Sequence, residues 1–174
     1  MAIIYTIGHS TREWDDFVSV LKAHQIATLF DIRAFPISKR LPHFNREHMQ
    51  PALREAGIGY VWEKDLGGRR SKSLEKSPNT GLRNDSFRNY ADYMLTESFE
   101  RAAEDVVKSA ESKPTAIMCA ERVFFHCHRM LVSDYLVLHG HEVLHIDDAK
   151  PPREHKVTAE AKMIEGKVQY PGLF

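Results

Sequence analysis

The stretch Met118–Arg129, reading MCAERVFFHCHR, holds both cysteines of the chain, two of its ten histidines, a glutamate and two arginines. These side chains can support three kinds of chemistry. The first is a thiolate nucleophile. Cys127 falls at or near the start of a predicted helix, where the helix dipole favours a thiolate. Cys119 follows an apolar run and also reads as a small buried core residue. The second is a metal site. Cys119, His126, Cys127 and His128 are ligand types, and His9, His24, His43 or His48 could add another. Their spacing matches neither a zinc ribbon nor a finger, and consecutive residues rarely all reach one ion, so no metal is assigned. The third is general acid–base chemistry at Glu121 or Asp31, since a carboxylate at a strand end can be partly buried and tuned. A salt bridge from either to Arg33 or Arg129 explains the same residues structurally. No known thiol loop is present. There is no Cys-x-x-Cys, and counting a Cys-x5-Arg spacing from Cys119 and Cys127 lands on Phe125 and Ser133.

The elements that must hold these groups alternate between strand and helix. Strand-like runs are Ile3–Ile7, Ala27–Arg33, Gly59–Glu63, Thr115–Ala120 and Glu142–Ile146. Between them lie helical patterns. Ser10 with Glu13 fits a capping box opening a helix to about His24, with Trp14, Phe17, Val18 and Leu21 as its apolar stripe. Asn45–Ala56 carries Met49 and Leu53 at spacing four and ends at Gly57. Phe87–Leu95 and a longer helix capped by Thr96 follow, the latter ending before Pro114. The last of the series runs from Cys127 to about His139. Ser71–Ser86 is polar and aperiodic, and reads as a mobile loop or lid. Residues 1–150 are expected to form one α/β domain with a largely parallel sheet of five strands or slightly more, flanked by helices. Residues 151–174 are expected to add a helix from Glu154 to Ile164 and a tail. Tyr170, Leu173 and Phe174 would pack on the domain or join a second subunit in a homodimer.

In such sheets ligands bind beyond the carboxyl ends of the strands. The residues expected there are His9 and Ser10, Asp31 and Arg33, Asp65 and the run Gly67-Gly68-Arg69-Arg70, Cys119 and Glu121, and His145 with Asp147 and Asp148. Glycines permit close backbone approach and arginines grip oxyanions with two N–H groups, so the Gly-Gly-Arg-Arg run is a weak phosphate signal. Residues 33–88 contain 12 Lys/Arg and 6 Asp/Glu, a net of +6 inside a neutral chain. That bias suits a phosphate-bearing partner, either a small molecule or a nucleic acid, and equally a solvated surface with local pairing. Apolar runs are too short for a membrane helix, the first ten residues lack a basic leader pattern, and two cysteines make no disulfide framework. The expectation is a cytoplasmic protein without a membrane partner. No cofactor is indicated.

Several of these segments together carry a resemblance. They are Ile7-Gly8-His9-Ser10-Thr11, Asp31-Ile32-Arg33 with Pro36 and Ser38, Leu66-Gly67-Gly68-Arg69, Tyr90-Ala91-Asp92-Tyr93-Met94, Cys119-Ala120-Glu121 and Cys127-His128-Arg129. In this order they resemble the DUF488 family, out to about Ile146. The resemblance implies a small α/β domain with a shared polar cluster and little about activity.

The leading expectation is an enzyme, a hydrolase or transferase, acting on a phosphate-bearing substrate at the sheet edge. Glu121, Asp31 and His9 would carry out the chemistry. Arg33, Ser10, Gly67, Gly68, Arg69 and Arg129 would bind substrate. Two alternatives stand beside it: a non-catalytic nucleic-acid-binding module stacking bases on Phe35, Phe44, Tyr60 and Trp62, and a thiol-dependent or metal protein using Cys119 and Cys127.

Overall fold

Period-two burial along the strands decides the layers. In β4 (Thr115–Cys119) every residue is buried, but Ile117 and Cys119 face one apolar core while Ala116 and Met118 face another. A strand buried on both faces belongs in the middle of a helix-covered sheet. A computed structural model of the chain, describing residues 1–172, places it there.

The protein is a single α/β domain. Its main sheet runs β3 (Gly59–Trp62), β2 (Thr28–Asp31), β4, β1 (Ile3–Gly8), β5 (Glu142–Ile146) and β6 (Arg153–Glu154). The first five are parallel, and β6 pairs antiparallel with the edge of β5. Helices α1 (Trp14–Ala23) and α2 (Arg46–Glu55) cover one face through Phe17, Leu21, Met49 and Leu53. Helices α3 (Asp85–Tyr93), α4 (Glu97–Ser112) and α5 (Arg129–Leu138) cover the other through Tyr90, Phe99, Val106 and Leu131. Each large apolar side chain buried this way contributes on the order of 1.5–3 kcal/mol.

Local signals explain the element ends. Asn84 and Thr96 cap α3 and α4, accepting from Phe87 N at 3.0 Å and Phe99 N at 3.4 Å. The expected capping box at Ser10 does not form. Ser10 takes a left-handed φ of 51° inside a turn, and α1 begins at Trp14 without a side-chain cap. The expected helix over Glu154–Ile164 is also corrected. Arg153–Glu154 extends the sheet, His155 N donates to Val143 O, and β7 (Lys162–Ile164) pairs with β8 (Lys167–Gln169) as a hairpin. Its two turn residues, Glu165 and Gly166, have φ of 50° and 78°, the twist that a two-residue hairpin requires. Ser71–Ser86 has no strand and reaches only the first two residues of α3, yet it is anchored. Asn79 is fully buried, donating to Asp92 Oδ1 at 2.7 Å and accepting from Tyr170 N at 2.8 Å. Residues 71–76 and 83–86 are exposed on either side of this anchor. Tyr170 is buried in the core, whereas Leu173 and Phe174, expected to pack or dimerise, lie outside the described residues.

What this fold does for a site is set by the exits of the strands. The chain leaves β1 and β2 for helices on one face and leaves β4 for α5 on the other. The loops after β4 therefore part from those of both neighbours, opening a crevice at the carboxyl ends. Register fixes its floor, because Gly8 pairs with Cys119 and Asp31 with Met118. His9 N and Ser10 N continue the ladder to Cys119 O and Ala120 O, both at 2.9 Å. Gly8 is where backbones come closest: a Cβ there would lie 1.7 Å from Glu121 O and 2.8 Å from Arg122 Cα. Gly8→Ala must push the 121–122 backbone off the sheet. The expected loss is at least about 1–3 kcal/mol in chemical denaturation, as for other overpacked cores. An unchanged midpoint would contradict this close approach.

Candidate functional site

The crevice holds a cavity of about 440 Å³ whose walls include His9, Arg33, Gly68, Arg69, Cys119 and Cys127, with Glu121 and His128 beside them. Groups from β1, β2, β4, the loop after β3 and the start of α5 thus meet in one place.

The two thiols form its centre. Both are free and buried, and their sulfurs lie 2.8 Å apart. Cys119 ends β4. Cys127 follows a single 3-10 turn, Phe124–His126, and sits at the start of α5, where its Sγ accepts from Arg129 N at 3.2 Å. His128 Nε2 lies 3.0 Å from Ile32 O, so that nitrogen carries a hydrogen and donates. Nδ1 is left facing the sulfur of Cys127 at 3.9 Å. The ring can lie there because position 68 is glycine: a Cβ at Gly68 would meet His128 Nδ1 at 2.5 Å. Burial pushes the Cys127 thiol up, but its contacts with Cys119 and His128 and the charge of Arg129 outweigh it and hold it well below the usual thiol range. Cys119 moves the other way, raised by burial and by its proximity to Cys127. The two sulfurs have unlike surroundings: Cys127 Sγ accepts from Arg129 N, and the Cys119 S–H has Glu121 O as acceptor at 3.5 Å.

A second cluster orients Arg33. Its Nε and Nη2 donate to Asp31 Oδ1 and Oδ2 at 2.9 and 2.6 Å, and Arg33 N also donates to Oδ1 at 3.1 Å. Tyr60 OH donates to Oδ2 at 2.5 Å. Burial disfavours the guanidinium charge, yet Asp31 outweighs it and raises the Arg33 pKa. Asp31 is completely buried and fully engaged, so it orients Arg33 instead of offering a free carboxylate. His9 stacks on Phe44 with ring centres 4.3 Å apart. Its Nδ1–H donates to Ser10 O at 2.8 Å, and Nε2 accepts from Arg33 Nη1 at 3.4 Å. Burial lowers the His9 pKa from 6.5 to about 4, so the ring is neutral at pH 7.

The remaining expected site residues divide. Glu121 and Gly68 line the cavity, and Arg69 does so with its guanidinium 5.6 Å over the exposed ring of Phe35. Glu121 is exposed at the mouth. Ser10 and Gly67 shape the backbone but are not in the cavity wall. Nor is Arg129, expected to hold an anion. Its guanidinium is 1% exposed and donates to Glu121 O and Arg122 O at 3.0 Å and to Thr6 Oγ1 at 3.1 Å. It braces the loop that carries Glu121. Of the four rings offered for base stacking, Phe35 alone is exposed. Phe44 is core, Tyr60 bonds Asp31, and Trp62 Nε1 donates to Arg33 O.

Behind Arg129 lies a buried chain that the sequence did not suggest. Thr6 Oγ1 lies 2.5 Å from His145 Nδ1, His145 Nε2 lies 2.8 Å from His155 Nδ1, and His155 Nε2 lies 2.7 Å from Asp134 Oδ1. Thr6 already accepts from Arg129, so its hydrogen points to His145. Each ring then accepts at Nδ1 and donates at Nε2, and the chain ends on the carboxylate. Tyr170 OH donates to the other oxygen of Asp134 at 2.8 Å. Burial, with the charge of Arg129, lowers the His145 pKa to about 3, in keeping with a neutral ring. The only available signal was the spacing of His145 and Thr6 on strands, which says nothing about register. Among the described residues no three His, Cys, Asp or Glu are grouped to hold a metal, and no helix is long and apolar enough to cross a membrane.

A family model described as "Domain of unknown function DUF488" matches residues 13–136. The chain belongs to the DUF488 family. No curated protein and no solved structure matches it. The part matched to DUF488 includes Asp31, Arg33, the Gly67–Arg69 run, both cysteines and Asp134, whereas His145, His155 and Tyr170 lie beyond it.

Two stability predictions follow from the buried histidines and from Asp134. An unfolded histidine takes up a proton below pH 6.5, whereas His9 and His145 resist protonation down to about 4 and about 3. Unfolding is favoured as pH falls through that window, by up to about 1.4 kcal/mol per pH unit for each ring. Urea titrations from pH 7 to 4 should show this decline, shallower in His145→Asn. Asp134→Ala removes a buried counter-charge and should cost about 3–5 kcal/mol. Asp147→Ala, removing a carboxylate 54% exposed and paired with Arg122, should cost less than about 1 kcal/mol. Equal losses would contradict the network.

Proposed function

We propose that this DUF488 protein is an enzyme that uses Cys127 as a nucleophile on a phosphate-bearing substrate. The observation that carries this reading is Cys127 at the start of α5, its sulfur accepting from Arg129 N and lying 2.8 Å from that of Cys119, while facing a cavity lined by Arg33 and Arg69. A thiolate at a helix N-terminus beside cations is the activated form of a cysteine. It favours thiol chemistry over acid–base chemistry at Asp31.

Arg69 and the Nη1 edge of Arg33 bind the anion. Asp31 and Tyr60 hold Arg33 in place, and neutral His9 accepts from Nη1, keeping that edge turned into the cavity. The thiolate attacks the electrophilic centre of the substrate. A bond from sulfur to the transferred group forms, the bond to the leaving group breaks, and a proton from solvent, relayed by Glu121 at the mouth, goes to the departing atom. Water or a second acceptor then takes the group and returns the thiolate. A small molecule such as a nucleotide suits a cavity of about 440 Å³, within the range of ligand pockets.

The test measures alkylation of the full chain by iodoacetamide against pH. Cys127 should react with a midpoint below the usual value of about 8.5. Inorganic phosphate should slow that labelling, and Arg69→Ala should remove the protection by about tenfold or more, the scale of one charged hydrogen bond. In a panel of nucleotides and phosphate esters, Cys127→Ser should abolish turnover while Glu121→Gln lowers it. Labelling at the ordinary midpoint with no phosphate effect would refute the reading.

A further inference from the structure

We propose that Cys119 and Cys127 form a reversible dithiol–disulfide couple, so that the cavity is also a site of oxidation by peroxide. Nothing in the nucleophile reading requires this second activity. The geometry supplies three of its requirements. The sulfurs are already 2.8 Å apart, so closure to a bond of about 2.05 Å takes a shift of less than an ångström. Both line the open cavity, which gives a small oxidant access. The two thiols are also inequivalent. Cys127 Sγ accepts from Arg129 N at the start of α5, whereas the Cys119 S–H has Glu121 O as its acceptor at 3.5 Å.

That asymmetry assigns the steps. The Cys127 thiolate attacks one oxygen of hydrogen peroxide, a sulfur–oxygen bond forms, the oxygen–oxygen bond breaks, and the departing hydroxide takes a proton to leave as water. The sulfur of Cys119 then attacks Cys127. The disulfide forms, the sulfur–oxygen bond breaks, and the Cys119 proton leaves with the hydroxide as a second water. Two thiols are oxidised and one peroxide is reduced, with no other reactant. An external thiol such as glutathione or dithiothreitol restores the pair by exchange. The segment that must adjust is the loop between them. Its turn Phe124–His126 carries exposed Phe125 and His126, while Arg129 clamps the Glu121 and Arg122 carbonyls beside it. In the disulfide form the nucleophile is masked, so oxidation switches the site off.

The full-length protein, treated with hydrogen peroxide and separately with the dithiol oxidant diamide, tests this. Intact mass should fall by about 2 Da, both titratable thiols should vanish together, and dithiothreitol should restore both. Trypsin cuts after Arg122 and so places the cysteines on separate peptides. Those peptides should stay joined until reduced, and the protein should remain monomeric on a non-reducing gel. In Cys119→Ser, peroxide should instead drive Cys127 on to the sulfinic acid, a gain of oxygen that dithiothreitol does not reverse. In Cys127→Ser, Cys119 should stay reduced. Three outcomes would overturn the proposal: no cross-link with either oxidant, a cross-link only between chains, or sulfinic acid accumulating as fast in the wild type as in Cys119→Ser. None of these depends on phosphate binding or turnover, so either reading can fail without the other.

Discussion

The buried guanidinium of Arg129 is the constraint on which the site depends. It is 1% exposed and, among the described residues, forms no ion pair with a carboxylate. A lone buried charge is expensive, so its environment must answer it. Two backbone carbonyls, Glu121 O and Arg122 O, take one side of it, and the loop after β4 is thereby drawn onto the sheet. Thr6 takes the other side and passes the polarisation through His145 and His155 to the carboxylate of Asp134. Cation and anion are joined by three neutral groups, each donating in the same direction. The backbone N–H of the same arginine meets the sulfur of Cys127. One residue thus braces the loop, supports the sulfur of Cys127 and anchors a chain that runs along the α5 face of the sheet from β1 past β5.

This arrangement explains why two arginines in one site have opposite fates. Arg33 has its charge neutralised by Asp31 at two contacts, and that pair is held by Tyr60. Because Asp31 engages Nε and Nη2, the Nη1 edge stays directed at His9 and the cavity. Among the described residues Arg129 has no such partner, and it turns away from the cavity toward carbonyls. The arginine that is paired with a carboxylate is therefore the one available to a ligand, and the unpaired one is structural. Charge counts along the chain cannot distinguish them. The excess of basic residues over 33–88 likewise resolves into separate uses. Arg69 faces the cavity, Arg70 lies 3.7 Å over Tyr93, and Arg46 lies 4.9 Å over Trp62.

The strands and helices were legible because their signals are local. Apolar runs ending in Gly8 and Cys119 mark strands buried on both faces, and the period of Phe17–Leu21 or Met49–Leu53 marks a helix stripe. From alternation alone, the edge of the sheet and most of its polar groups could be named. What failed depended on tertiary context. Ser10 and Glu13 satisfy the capping pattern, but the hydrogen bonds of residues 9 and 10 to β4 hold the turn in another conformation. Glu154–Ile164 has enough periodicity for a helix, yet the pairing of β6 with β5 and the positive φ of Glu165 and Gly166 make it strand and hairpin. The choice between a free acid–base group and an ion pair at Asp31 was not legible for a similar reason: its partner Tyr60 is a neighbour only through the pairing of β2 with β3.

The thiol pair shows the same limit most sharply. Eight positions separate Cys119 from Cys127, which is neither a redox motif nor a phosphatase loop. Their meeting requires β4 to end at Cys119 in register with Gly8, a loop that folds back over a position where no Cβ fits, and a helix that starts just beyond Cys127. Gly8 and Gly68 are the two places where backbone yields space, one to the returning loop and one to the ring of His128. Substituting the glycines would separate the sulfurs or displace the imidazole without touching either cysteine. The spacing of the cysteines therefore carries little meaning by itself. The chemistry comes from the distance that sheet register, two glycines and one buried arginine impose.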